Sequence, residues 1–149
     1  MKVVIALGAN LGEPRSQINS AIEAIGGIIK IEAVSSLYET LPFGVPDSQP
    51  NYLNAILIGE TEFKPLDLMK ALLEIENSAG RVRSFQNAAR VIDIDLIDLG
   101  GLFMESEALT LPHPRAHERR FVLEPWLEID PAASLPGRGA IRELLEAIK

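Results

Sequence analysis

Val91-Ile92-Asp93-Ile94-Asp95-Leu96-Ile97-Asp98-Leu99 is the stretch on which the fold turns. Apolar residues alternate with aspartates at period two up to Leu96, the pattern of a strand with one face in a core. Gly100-Gly101 closes it. On its N-terminal side lies Arg81–Arg90, polar and basic, expected to be a loop. Before that loop, Pro65 suits a first helical turn, and Leu66, Met69, Leu72, Leu73 and Glu76 outline an amphipathic helix ending before Gly80. Tyr52–Thr61 reads as a strand, and Leu41–Asn51, with Pro42, Gly44, Pro46 and Pro50, as a loop. Ile28–Thr40 is rich in Ile, Val, Ser and Tyr and reads as one long strand. Pro14 opens a helix along Ile18, Ala21, Ile22 and Ile25 that Gly26-Gly27 stops, and Lys2–Leu7 is a short buried strand.

The order is therefore β-α-β-β-α-β, which predicts an α+β, ferredoxin-like sandwich. A C-terminal extension follows: a short strand near Leu109–Leu111, an irregular Pro112–Arg120 stretch, Phe121–Leu127, and a final helix over Ile141–Ile148. No repeat or linker divides the chain, so residues 1–149 are expected to form a single domain.

Composition narrows the function. The hydrophobic share is 47% and the charged share 23%, which excludes disordered and fibrous classes. Fourteen basic against 21 acidic residues give a net charge of -7, unsuited to general nucleic-acid binding. With no cysteine, thiolate nucleophiles, disulfides and Cys-ligated metals are excluded. No apolar run reaches the length of a membrane span, and Met1–Leu7 is too short for a signal-peptide core. A cytoplasmic monomer without nucleic-acid or membrane partners is expected.

Asp93 and Asp95 project from the same strand face about 6.6 Å apart, where at an intermediate dielectric two bare charges repel by about 2.5 kcal/mol. A Mg²⁺ ion shared with substrate phosphates would compensate that repulsion; solvated aspartates on an exposed face are the other reading. Arg81, Arg83 and Arg90 precede the pair, and His113, Arg115, His117, Arg119 and Arg120 follow it. In an acidic protein the three arginines suit a phosphate clamp, because guanidinium matches phosphate oxygens in bidentate geometry. His117 is expected to be structural. Tyr52 and Asn54 share a strand face beside a proline-stiffened loop carrying Phe43, a minimal kit for a flat heterocycle. No GxxxxGK[ST], GxGxxG, HExxH or GxSxG motif is present.

Several ordered motifs then resemble one family. They are Leu7-Gly8-Ala9-Asn10-Leu11-Gly12, Ser35-Ser36-Leu37-Tyr38-Glu39-Thr40, Gln49-Pro50-Asn51-Tyr52-Leu53-Asn54-Ala55, Gly80-Arg81-Val82-Arg83, Arg90-Val91-Ile92-Asp93-Ile94-Asp95, Leu111-Pro112-His113-Pro114-Arg115 and Phe121-Val122-Leu123-Glu124-Pro125-Trp126. The sequence resembles the 6-hydroxymethyl-7,8-dihydropterin pyrophosphokinases, which move a pyrophosphoryl group from ATP to a reduced pterin alcohol in folate synthesis. The resemblance implies a ferredoxin-like fold and two Mg²⁺ ions held with ATP by Asp93 and Asp95. It implies catalytic roles for Arg81, Arg90, Asp93 and Asp95. Glu76, Arg81, Arg83, Arg90, His113 and Arg119 would bind ATP. Tyr52 and Phe121 would stack on the pterin, with Asn54 and the backbone of Thr40, Leu41, Pro42 and Phe43 bonding its edge. The hydroxymethyl oxygen would attack the β-phosphorus in line and AMP would leave. Where the family usually carries Gly-Pro before the arginine opening the metal strand, this chain has Asn87-Ala88-Ala89, which bears on how the loop closes over ATP. The rival readings are a non-catalytic ferredoxin-like ligand-binding module and a metal-dependent phosphohydrolase.

Overall fold

The computed structural model describes residues 1–10, 13–40, 52–80 and 92–148, apart from the side chains at 79 and 80. The loops expected over Leu41–Asn51 and Arg81–Arg90 lie outside these residues.

Strand β1, Lys2–Ala9, is buried from Val3 onward. A strand apolar on both faces has to be central, and β1 is. It pairs antiparallel with β4, Tyr52–Glu60, on one side and with β5, Asp93–Leu99, on the other. Strand β2, Lys30–Val34, completes the order β2-β4-β1-β5, and the short β3, Tyr38–Thr40, also lies against β4. Helix α1, Pro14–Gly26, connects β1 to β2, and α2, Pro65–Gly80, connects β4 to β5. Each helix thus joins two parallel strands with a third strand between them, the split βαβ arrangement of the ferredoxin-like fold.

One sequence expectation needs correcting. Ile28–Thr40 is two strands, β2 and β3, separated at Ser35 to Leu37. Ser35 is buried, and its hydroxyl, instead of a main-chain carbonyl, accepts the Ile56 N–H at 2.9 Å while donating to Ser36 O at 2.8 Å. A side chain that replaces the backbone acceptor ends the regular ladder.

The two sheet faces are covered differently. On one face Val3, Ile5, Leu7, Leu57, Ile94, Leu96 and Leu99 pack against Ile18, Ala21 and Ile25 of α1 and Leu68 and Leu72 of α2. On the other, Val4, Ile56, Ile58 and Ile97 are buried under the C-terminal extension. That extension runs through β6, Met104–Glu105, β7, Thr110–Leu111, and a 3₁₀ turn over Ala116–Glu118 to α3, Arg120–Ile129. The hairpin of β8, Ser134–Leu135, and β9, Gly139–Ala140, then leads into α4, Ile141–Ala147. Val122, Leu123 and Trp126 of α3 and Ile141 and Leu145 of α4 seal this second core. Burial of the Trp126 ring, 2% exposed, makes it the costliest residue there to truncate, by about 3–5 kcal/mol on general grounds.

The cover is incomplete by design of the sequence. Along the second face, β4 reads Ile58, Ile56, Asn54, Tyr52; β1 reads Val4, Ala6, Gly8; β5 reads Ile97, Asp95, Asp93. The apolar end lies under α3 and α4, and the polar end is left open. A bulge aids this: Ile5 pairs with Leu96 but Val4 with Asp98, so Ile97 is the extra residue and enters the second core.

Candidate functional site

A cavity of about 710 Å³ occupies the open end of that face. Its floor is the sheet: Gly8 stands in register with Asn54 on β4 and with Asp93 on β5, and Ala6 with Asp95. One wall is β3, where Tyr38 faces Asn54 and Thr40 faces Tyr52 in the antiparallel register. The opposite wall is the start of α3, with Arg119, Arg120, Phe121 and Glu124 on the lining.

The acidic pair lies where its spacing predicts. Asp93 and Asp95 are half-buried, and both line the cavity, while Ile94 and Leu96 between and beside them are core. Arg119 Nη1 approaches Asp95 Oδ2 at 3.9 Å, and the same guanidinium lies 5.5 Å from the centroid of the Phe121 ring. His113 is tied to the edge of β5 by its N–H, which donates to Ile97 O at 2.8 Å. Its Nδ1 accepts the Arg115 N–H at 3.2 Å, so the neutral ring carries its proton on Nε2. Burial lowers the His113 pKa below its ordinary value; Asp95 opposes that shift, and Arg119 and Arg115 reinforce it.

Asn54 is buried and held by two groups on β3. Its Nδ2 donates to Thr40 Oγ1 at 2.8 Å and, at a longer 3.5 Å, to the Tyr38 carbonyl. A carbonyl only accepts, so Nδ2 faces β3 and Oδ1 is turned toward Gly8 on the cavity floor.

Of the residues singled out in the sequence, Thr40, Tyr52, Asn54, Asp93, Asp95, His113, Arg119 and Phe121 are brought together on this one cavity. Glu76 lies on the helix side of the sheet. It is buried, and its Oε2 accepts the Ile94 N–H at 2.8 Å, on the open edge of β5 between the two aspartates. Leu41, Pro42, Phe43, Arg81, Arg83 and Arg90 lie outside the described residues, as do Asn87-Ala88-Ala89. His117 keeps away from the cavity lining, in the 3₁₀ turn, 3.6 Å from Glu118. Sequence reasoning placed Arg120 in the second basic group without giving it a role, and missed Tyr38 and Glu124 as lining residues. Tyr38 carries the same period-two signal as Thr40, whereas Glu124 follows Phe121 by one helical turn, a signal hidden by Pro125 inside α3.

Among the described residues no group of three or more His, Cys, Asp or Glu could cage a metal. Two carboxylates on one strand, opening into a cavity with cationic groups, suit instead a hard ion that completes its shell with substrate oxygens, as Mg²⁺ does. No helix among the described residues is long and apolar enough to cross a membrane.

Fold and cavity together define an enzyme for small molecules built on a ferredoxin-like sheet. The crystal structure of wild-type Plasmodium falciparum HPPK-DHPS matches with a TM-score of 0.76 at 15% identity, covering 98% of this chain and 44% of that one. This chain thus spans less than half of that longer protein, and the likeness concerns the fold. The family model for 7,8-dihydro-6-hydroxymethylpterin-pyrophosphokinase matches residues 4–131. The 2-amino-4-hydroxy-6-hydroxymethyldihydropteridine pyrophosphokinase of Haemophilus influenzae is 40% identical over 144 residues, covering 95% of this chain and 89% of that protein. The Pseudomonas aeruginosa protein of the same name is 38% identical over 148 residues, covering 98% and 91%. The chain belongs to the 7,8-dihydro-6-hydroxymethylpterin-pyrophosphokinase family. It is an ATP-dependent diphosphokinase.

Proposed function

We propose that the chain transfers the pyrophosphoryl group of ATP to the hydroxymethyl group of 6-hydroxymethyl-7,8-dihydropterin, releasing AMP, as a step of folate biosynthesis. One observation carries the reading: Asp93 and the amide of Asn54 flank Gly8, and Asp95 stands beside Ala6, on the floor of one cavity. A phosphate end and a heterocycle end are thereby a single strand apart.

In this reading Asp93 and Asp95 would hold two Mg²⁺ ions, and ions bound there would supply charge neutralisation for the phosphates. Arg119 and the Nε2–H of His113 add donors to the phosphate oxygens from the extension side, and Arg81, Arg83 and Arg90 add cations from the sequence before β5. Glu76 fixes the edge of β5 behind the acidic pair and belongs to the nucleotide side. Arg81 and Arg90 join the aspartates as the catalytic groups. Tyr52 and Phe121 stack on the pterin; Asn54 accepts a ring N–H through Oδ1; Thr40, Leu41, Pro42 and Phe43 bond its edge through their backbone. The hydroxymethyl oxygen attacks the β-phosphorus, its bond to the α,β-bridging oxygen breaks, and AMP departs with that oxygen. The proton of the alcohol leaves to water. Such a transfer is accelerated by alignment and charge neutralisation and needs no covalent intermediate. A monomer working in the cytoplasm as a single domain, with ATP and the pterin as its partners, completes the proposal.

Incubation with ATP, Mg²⁺ and the reduced pterin alcohol tests it. AMP formation that depends on both the pterin and the metal is the expected result. Phosphate release without pterin would indicate a phosphohydrolase, and ligand binding without turnover a non-catalytic module.

A further inference from the structure

The two walls of the cavity come from segments far apart in the chain, and one carboxylate joins them. Glu128, near the C-terminal end of α3, takes both the main chain and the side chain of Ser36. The Ser36 N–H donates to its two oxygens at 3.1 and 3.2 Å, and the Ser36 hydroxyl to Oε2 at 2.9 Å. The Tyr38 hydroxyl donates to Oε1 at 2.8 Å across 90 residues of sequence. Three donors, making four contacts, bring this one carboxylate close to its full accepting capacity.

The consequence runs inward. Tyr38 opens β3, whose carbonyl and whose neighbour Thr40 fix the amide of Asn54. The same helix that offers Glu128 offers Phe121 two turns earlier. We propose that Glu128, acting through Tyr38, is a positioning residue for the heterocycle end of the site: it sets the gap between the α3 and β3 walls and the orientation of Asn54. This rests on the reading that the pterin occupies that end. The titration of the pair agrees with a formed contact. Burial, together with the bond to Glu128 and its negative charge, pushes the Tyr38 hydroxyl up to about 12. Burial would raise the Glu128 carboxyl, but the bonds from Tyr38 and Ser36 outweigh it and hold it below its usual value.

The strap predicts an effect on one ligand only. Calorimetric titration would follow two probes, a non-hydrolysable MgATP analogue alone and then 6-hydroxymethylpterin in its presence. Tyr38→Phe keeps the ring on the cavity wall and deletes only the hydroxyl, so it should fold as the wild type does. Tyr38→Phe and Glu128→Ala should each weaken pterin binding about fivefold, the loss expected for one hydrogen bond. The double variant should be no weaker than the worse single one, since both remove the same link. MgATP-analogue affinity should move by less than about twofold, a change too small to register as one lost hydrogen bond. Unchanged pterin affinity in folded Tyr38→Phe, equal weakening of both ligands, or additive losses would overturn the positioning role while leaving the functional reading standing. Failure of the wild-type chain to bind the pterin at all would overturn that reading and this inference with it.

Discussion

The Cβ that Gly8 lacks would stand 3.1 Å from the Oδ1 of Asn54. That is tighter than ordinary contact, and Asn54 has little room to yield because Thr40 holds its Nδ2 at 2.8 Å. Gly8 is therefore a space requirement of the site, imposed on a strand residue where a side chain would otherwise be favoured. Gly8→Ala should displace the Asn54 amide and raise the pterin KM about fivefold, the effect of a strain on the order of 1 kcal/mol. Comparison of KM for the two substrates checks this; an unchanged pterin KM would show that the amide can shift without loss.

The acidic pair should be separable from the fold. Under the proposed metal-holding role, Asp93→Ala and Asp95→Ala should each lower activity about a thousandfold or more, equivalent to several kcal/mol of lost charge stabilisation. Arg119 loses only a 3.9 Å approach when Asp95 is replaced, and both side chains are partly exposed, at 29% and 45%. Such pairs contribute at most about 1 kcal/mol. Thermal melts of Asp95→Ala without metal should thus be unchanged or slightly raised; a large drop would make that carboxylate structural.

Phe121 is 37% exposed although it begins a helix that carries a core. An exposed ring on a cavity wall has little to do for stability. Phe121→Ala and Tyr52→Ala should each cost about 1–3 kcal/mol of pterin binding, by analogy with base–aromatic stacking. ATP binding should be affected far less. Parallel isothermal titrations decide it, and equal weakening of both ligands would point to damaged packing.

Asp98 gives a pH signature. Burial raises its pKa above the ordinary value; the N–H groups of Gly101 and Leu99, and the charge of Lys2, pull the other way without cancelling it. Among the described residues its Oδ1 is buried without a hydrogen-bond partner. A carboxyl that binds its proton more tightly when folded stabilises the native state least when ionised. The penalty is absent below the unfolded value of 3.8 and grows as pH rises through the higher folded value. Asp98→Asn should therefore be more stable than the wild type at neutral pH, with the difference shrinking as pH falls toward 4. Urea unfolding at several pH values measures it, and a pH-independent difference would exclude ionisation as the cause.

Much of this was legible in the chain itself. Gly26-Gly27, the prolines at 14 and 65, and Gly100-Gly101 punctuate the order of elements, and the last two glycines do adopt positive φ, 59° and 71°. Asp93 and Asp95 announced themselves because strand periodicity is strict: residues two apart must share a face whatever else the protein does. Local rules of that kind need no partner. The break in Ile28–Thr40 was not legible, since Ser35 ends the strand by exchanging bonds with Ile56, 21 residues away. Nor was α3, whose Pro125 removes a donor inside the helix and argues locally against it; burial of Leu123 and Trp126 on the sheet outweighs that loss.

The sequence by itself determined β1, β4 and β5, the two crossover helices, the family and the residue types at the site. Only the tertiary structure decided that the extension would cover the apolar end of the second face and stop at Ala6, leaving Gly8, Asn54, Asp93 and Asp95 as the floor of a cavity. It alone also placed Glu76 behind β5 and Glu128 between the walls. The reason is physical. Periodicity and turn chemistry act within a few residues, whereas a cavity exists only where distant segments fail to meet, and a bond between residues 90 apart carries no local pattern.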